Sequence, residues 1–217
     1  MASRSTLKLW IRTLLATTSD DPAWSDAVLD PIVQQAADSL TSDIHRANPQ
    51  ALYKEATLAA NSSTSHSYTF ASQSTPITDF AGWIEARWDN SEGLELHEVR
   101  LDELRAADQD HFTLTGLDEA TILVTSPDSG AGTPVWLRYR YWPARLADDN
   151  SVPGGISTYF HDVIALEALF AFGLGGEQQL PRELYGRWQD RRSQLMASVG
   201  RRGSQVSRTR VYTDVYE

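Results

Sequence analysis

The segment "YWPARLADDNSVPGGISTYFHDVIALEALFAFGLGG", residues 141–176, decides how the rest of the chain is read. It sets a Pro-Gly-Gly break, a His161–Asp162 pair and a long apolar run side by side, so it describes either a catalytic loop or a structural joint. Helical geometry favours the joint. On a helix Asp162 falls roughly a quarter-turn from His161, and Glu167 about 120° away, so the polar side chains do not converge. Position 165, where a helical metal motif places its second ligand, is alanine. Asp162 suits the positive end of a helix macrodipole. Pro153, Gly154 and Gly155 read as a hinge joining a β region to a helix over Phe160 to Phe172. Its Val163, Ile164, Leu166, Ala168 and Leu169 leave almost no polar face. Such a helix is expected to be buried on most sides, or covered on one side by neighbouring subunits. Gly173, Gly175 and Gly176 supply the left-handed residues that end helices.

Upstream, a helix is expected from Ser5 to Leu15. A second starts with Asp30 as N-cap and Pro31 at the first helical position, where a missing N–H is harmless. Ile32, Val33, Ala36, Ala37, Leu40 and Ile44 carry it at helical spacing to Arg46. "NPQALYKEATLAANSSTSHS" reads as a short helix before a Ser/Thr-rich loop. The character then changes: "SYTFAS", "LELHEVRL", "HFTLTGL", "ATILVTS" and "PVWLRYRYWP" alternate and are rich in β-branched and aromatic residues. They predict a small antiparallel sheet with a helical turn at "DELRAADQ". A last helix runs from Pro181 to Val199, with Leu184, Trp188, Leu195 and Val199 on one stripe.

The expected fold is α+β: a helical-bundle body, built of a long N-terminal helix plus two C-terminal helices, with a small antiparallel β insertion and an extended C-terminal tail. The corresponding map is 1–60 for the N-terminal part of the body, 61–145 for the β-rich insertion, 146–200 for the C-terminal part of the body and 201–217 for a docking tail.

Composition narrows the chemistry. The chain has 217 residues, 41% of them hydrophobic, enough to bury a sizeable core. It has no cysteine, which excludes disulfides, thiolate metal sites and a cysteine nucleophile. No apolar run is long enough to span a bilayer, and the opening "LKLWIRTLLATT" is interrupted by Lys8 and Arg12, so a soluble, unsecreted protein is expected. The histidines His45, His66, His97 and His111 have no metal-ligand spacing. There is no G-x-S-x-G elbow, P-loop or G-x-G-x-x-G, and "GLGG" follows a helix where a phosphate cradle precedes one. Neither a catalytic residue, a metal ligand nor a cofactor site is assigned.

The net charge of −10 is unevenly spread, because residues 182–210 carry eight Arg against Glu183 and Asp190. An acidic body argues against general duplex binding, while the basic section suits an acidic partner. A solvated helix face accounts for the arginines equally well. From Val206 onward "RRGSQVSRTRVYTDVYE" alternates, with Thr209, Val211, Thr213 and Val215 on one face and Arg208, Arg210, Tyr212, Asp214 and Tyr216 on the other. Strand chemistry with a basic root reads as a segment that adds to another protein's sheet, or as a strand that folds back on its own domain. Arg201, Arg202, Arg208, Arg210, Val211, Tyr212, Val215 and Tyr216 are the candidate docking residues.

The order of parts resembles the head-to-tail connector adaptors of tailed bacteriophages. The resemblance rests on Trp24-Ser25-Asp26 before the first long helix, Leu137-Arg138-Tyr139-Arg140-Tyr141 closing a strand, Leu146 through Asp149 in the following loop, and Val152-Pro153 before the apolar helix. It covers most of residues 20–200, and its specificity comes from order and spacing. It implies a non-enzymatic virion protein of the neck, assembled in the host cytoplasm as a ring, commonly of twelve copies, below the portal protein. Its partners would be the portal, tail or neck proteins and identical neighbours, with genomic DNA passing through the channel without specific binding and with no cofactor or membrane involved. The competing readings are a small nucleic-acid-binding module using the C-terminal arginines and a metal-independent hydrolase using His161 or His111 with a carboxylate.

Overall fold

The computed structural model describes residues 1–210 except 64–65, 90–92, 105–110, 117–120, 126–131 and 171–181. The chain divides into two compact units, Met1–Leu52 with Pro143–Glu217, and Tyr53–Trp142.

The first unit is helical. Helix α1 (Arg4–Leu14) buries Leu7 and Ile11, and its N-cap Ser3 accepts from the Thr6 N–H. Helix α2 (Asp26–Ala47) buries Leu29, Val33, Ala36, Leu40 and Ile44 at helical spacing. It begins a full turn earlier than the sequence indicates. Ser25 takes the cap position, its carbonyl accepting from Val28 and Leu29, and Pro31 lies inside the helix. Only one backbone hydrogen bond is forfeited there, near the helix start, which is why the proline is tolerated.

Helix α4 (His161–Phe170) packs on α1, α2 and α5. Val163, Ile164, Ala165, Leu166, Ala168 and Leu169 are all buried within their own unit. Its apolar surface is therefore covered by the chain itself and needs no neighbouring subunit. Helix α5 (Arg182–Arg210) is 29 residues long and buries Leu195 and Val199. The glycines suggested as the end of α4 lie outside the described residues.

The second unit overturns the expected fold class. In place of a small antiparallel insertion stands a seven-stranded curled sheet with its own core, so the protein is mixed α/β and not a helical bundle with a β appendage. Its strands are β1 (Tyr53–Leu58), β2 (Ser67–Thr69), β3 (Phe80–Trp88), β4 (Glu95–Glu98), β5 (His111–Thr115), β6 (Thr121–Thr125) and β7 (Val135–Tyr141), in the order β1-β7-β3-β4-β5-β6-β2. All neighbours are antiparallel except β4 and β5, which run parallel and are bridged by the single turn α3 (Leu101–Leu104). Two strands account for the difference. β1 occupies the segment read as a helix, and β3, the longest strand, went unread.

One face of the sheet carries Leu58, Tyr68, Ala86, Leu96, Phe112, Ile122, Val135, Leu137 and Tyr139 as a buried cluster. The register of β3 against β7 shifts between Trp83 and Glu85. This bulge turns the Trp83 ring to the core side, where it meets Phe112 edge-on at 5.3 Å, while Glu85 and Arg87 occupy the other face. There the charges alternate across strands. Arg138 on β7 lies opposite both Glu55 and Glu85 in register and bonds to them at 2.8 and 3.3 Å, and Arg87 pairs with Glu85 and Glu95.

The expected extended tail is corrected over residues 201–210, where helix α5 continues through Gly200 and Gly203 to Arg210; residues 211–217 of that tail lie outside the described residues. No helix among the described residues is long and apolar enough to cross a membrane.

Candidate functional site

The densest polar constellation is built on α1, whose cations Arg4, Lys8 and Arg12 recur every four residues and so share one face. Opposite stand Asp26 and Asp30, one turn apart on α2, and Asp149 from the loop that follows the second unit. Lys8 is 2% exposed, and its ammonium touches all three carboxylates, Asp149 at 2.7 Å and Asp26 and Asp30 at 2.9 Å. Arg4 lies between Asp30 and Asp149 at 3.5 and 3.4 Å. Arg12 pairs with Asp26 and donates Nε and a terminal N–H to the Trp24 carbonyl at 3.0 and 2.9 Å.

Backbone groups complete the arrangement. The Arg4 and Ser5 N–H groups, unpaired within a helix at these first positions, donate to the carbonyls of Ser151 and Asp149. The Arg4 guanidinium donates to the Leu146 carbonyl at 2.8 Å, and the Leu146 N–H donates to Gln34 on α2 at 2.7 Å. Trp24-Ser25-Asp26 and Leu146 through Asp149, two of the motifs behind the family resemblance, thus meet the same face of α1.

The electrostatics make this a clamp. Burial works to lower the Lys8 pKa, but hydrogen bonds to Asp149, Asp26 and Asp30 outweigh it and raise the value. Hydrogen bonds from Arg12 and then Lys8 hold Asp26 below the ordinary carboxylate range, and Lys8 does the same for Asp149. A lysine kept protonated has no lone pair to offer as a nucleophile. The cluster fixes α1 to α2 and to loop 146–151.

His161 and Asp162 go separate ways. His161 is buried, with Nε2 3.1 Å from the Ile156 carbonyl. Asp162 takes a two-pronged contact from Arg191 at 2.7 and 2.9 Å, with Arg187 at 3.6 Å. Buried Glu167 accepts from the Trp188 indole at 2.9 Å and from Ser39 at 3.3 Å, with Arg192 at 3.6 Å. Each acid on α4 is a tie to α2 or α5. Among the described residues no three metal-ligating side chains come together.

The hinge residues lie inside the helical unit. Pro153 is buried, and Gly155 has φ +75°. A Cβ there would come within 2.8 Å of Pro143 and 3.2 Å of Leu52, the two residues at which the chain leaves and re-enters this unit. Of the candidate docking residues, Arg201, Arg202, Arg208 and Arg210 fall on the backbone of α5, while Val211, Tyr212, Val215 and Tyr216 lie outside the described residues.

The clamp was not anticipated from the sequence, although part of its signal is there: basic residues at i, i+4 and i+8 and acids four apart, of which Arg4 and Asp26 lay just ahead of the expected helix starts. No protein-family model matches the chain, and no curated protein matches it.

Proposed function

We propose that the chain is a structural head-to-tail adaptor of a tailed bacteriophage, forming a ring below the portal protein and joining it to tail or neck proteins around the DNA channel. The observation that carries this reading is the reach of α5. Its last described buried side chain is Val199, whose carbonyl accepts from Asn48 at 3.1 Å, yet the helix continues to Arg210. Residues 201–210 hold four arginines and no acid. A basic helical arm leaving an otherwise acidic body suits docking on an acidic partner surface. The order of the Trp24-Ser25-Asp26, Leu137–Tyr141 and Leu146–Asp149 motifs supports the same reading, since two of them serve to anchor the helical body.

Co-migration of the purified chain with portal rings on a sizing column tests this, comparing full length with a chain ending at Gly200. Full length should join the rings and the shortened chain should not. Failure of both to bind sinks the reading, and steeply salt-dependent DNA binding by the isolated full-length chain would replace it with a nucleic-acid-binding one.

A further inference from the structure

Along the outer face of the sheet the charges are matched, with one exception. Arg138 lies between Glu55 and Glu85, and Arg87 between Glu85 and Glu95. Arg140, two residues further along β7, pairs with no acid among the described residues, and its Nε is buried without a hydrogen-bond partner. The register sets its place: Gly82 stands opposite it on β3 and Tyr53 on β1. The guanidinium lies over Gly82, where an added Cβ would overlap it. A missing side chain thus makes room for a cation that is partly buried and not neutralised, an arrangement that costs free energy until a counter-charge arrives.

Exposed aromatic surface flanks this charge. Tyr53 is 48% exposed, and Trp142, directly after β7, is 40% exposed. Continued by one residue, the alternation of β7 puts Trp142 on the same side as Trp136, Arg138 and Arg140. The Arg138 guanidinium already covers part of the Tyr53 and Trp136 rings, at 5.2 and 5.1 Å from their centroids. Tyrosine, tryptophan and arginine around a partly desolvated centre are the residues that dominate protein–protein binding energy.

The charge pattern selects the occupant. Glu55, Glu85 and Glu95 share this face, so a phosphodiester chain tracking across it would meet carboxylates, and the chain as a whole is acidic. A single carboxylate set between apolar side chains meets the one unmatched guanidinium and the two rings instead.

We propose that Arg140, with Tyr53 and Trp142, docks a partner protein through one Asp or Glu side chain flanked by apolar residues. The patch goes beyond the adaptor reading and does not rest on it, since its test involves no portal protein.

The test is an NMR titration of the isotope-labelled full-length chain with two synthetic peptides, acetyl-Gly-Leu-Glu-Leu-Gly-amide and the same peptide with Gln in place of Glu. The Glu peptide should shift the Arg140 Nε–H and Trp142 indole N–H signals and bind about fivefold more tightly than the Gln peptide, as a charge-assisted pair does over a neutral one. Arg140→Gln should erase that preference, read at the Trp142 indole. Tyr53→Ser should weaken both peptides alike and leave the preference in place. Arg140→Lys keeps the charge but loses the planar fork, and should lower the preference, which keeps the proposal testable if Arg140→Gln does not fold. Equal binding of the two peptides, no shift with either, or a preference that survives in Arg140→Gln overturns the proposal. Tighter, Arg140-dependent binding of hexathymidylate overturns it as well, by making the patch a nucleic-acid site.

Discussion

The Lys8 ammonium and the Asp149 carboxylate meet at 2.7 Å although 141 residues separate them in the chain. Their contact holds α1 against a loop reached only after the whole sheet unit has been traversed. Lys8→Met should therefore destabilise the helical unit, because it leaves three carboxylates facing one another. Asp26 and Asp149 are about half exposed and regain water, so the expected loss is about 2 kcal/mol, below the range for fully buried pairs. Urea unfolding of the two proteins measures it.

The same network sets a pH window. Asp26 and Asp149 have folded values depressed below their ordinary 3.8, so their contribution is complete above that value and disappears as the pH falls through the depressed ones. Lys8 has a folded value raised above its ordinary 10.5, so its contribution is complete below 10.5 and is lost as the pH rises through the raised one. The Tm difference between wild type and Lys8→Met should be flat between these limits and should shrink below pH 3.8.

In the sheet unit, burial pushes the Tyr68 and Tyr139 hydroxyls up to about 12, and the Asp79 charge adds to the effect at Tyr139. Both hydroxyls have backbone or carboxylate acceptors, the Thr133 carbonyl for Tyr68 and Asp79 for Tyr139. An ultraviolet titration of the folded protein should show two tyrosines ionising late, and Tyr68→Phe should remove one. Since these groups ionise earlier when unfolded, the sheet unit should lose stability as the pH climbs past 10.

Gly155→Val should cost about 2 kcal/mol or more, since φ +75° disfavours any Cβ and a β-branched side chain most of all. The added atom also meets Pro143 at 2.8 Å. Gly154→Ala, where φ is not positive and the nearest atom is 3.3 Å away, should cost far less, and paired thermal melts distinguish the two.

Ile164→Ala on α4 should cost about 2–5 kcal/mol in the isolated chain, because the side chain is fully buried without any partner copy. A cost that appeared only in assembled rings would contradict the packing described here. Denaturant melts of the isolated variant decide it.

Legibility of the fold divided by the strength of the period. Helices α2 and α4 were readable because Val33, Ala36, Ala37, Leu40 and Ile44, or a continuous apolar run, repeat on a single face. Strand β1 was not, since "YKEATL" has helix-favouring residues and one fully buried position, Leu58; its strand conformation comes from pairing with β7. Strand β3 hides its alternation behind the bulge that moves Trp83 to the same side as Ala86. The parallel β4–β5 pair depends on contacts that no local pattern specifies. The last helix was expected to end at Val199, but α5 runs on through Gly200 and Gly203 to Arg210, because an isolated glycine weakens a helix without ending it. Of the polar sites, the Asp162 and Glu167 positions on α4 were visible, whereas their arginine and tryptophan partners on α5 belong to tertiary packing.

Gly155 has a consequence for how this chain can be taken apart. Its backbone lies against both Leu52 and Pro143, so the exit and return points of the helical unit are side by side; on the sheet unit, β1 and β7 pair Tyr53 with Arg140, so its two ends are neighbours as well. The sheet is therefore a cassette, spliced into the helical unit at one point. Excising residues 53–142 and bridging Leu52 to Pro143 with a few glycines and serines should leave the Lys8 clamp and the α4 core assembled, and a different module could be grafted at the same seam.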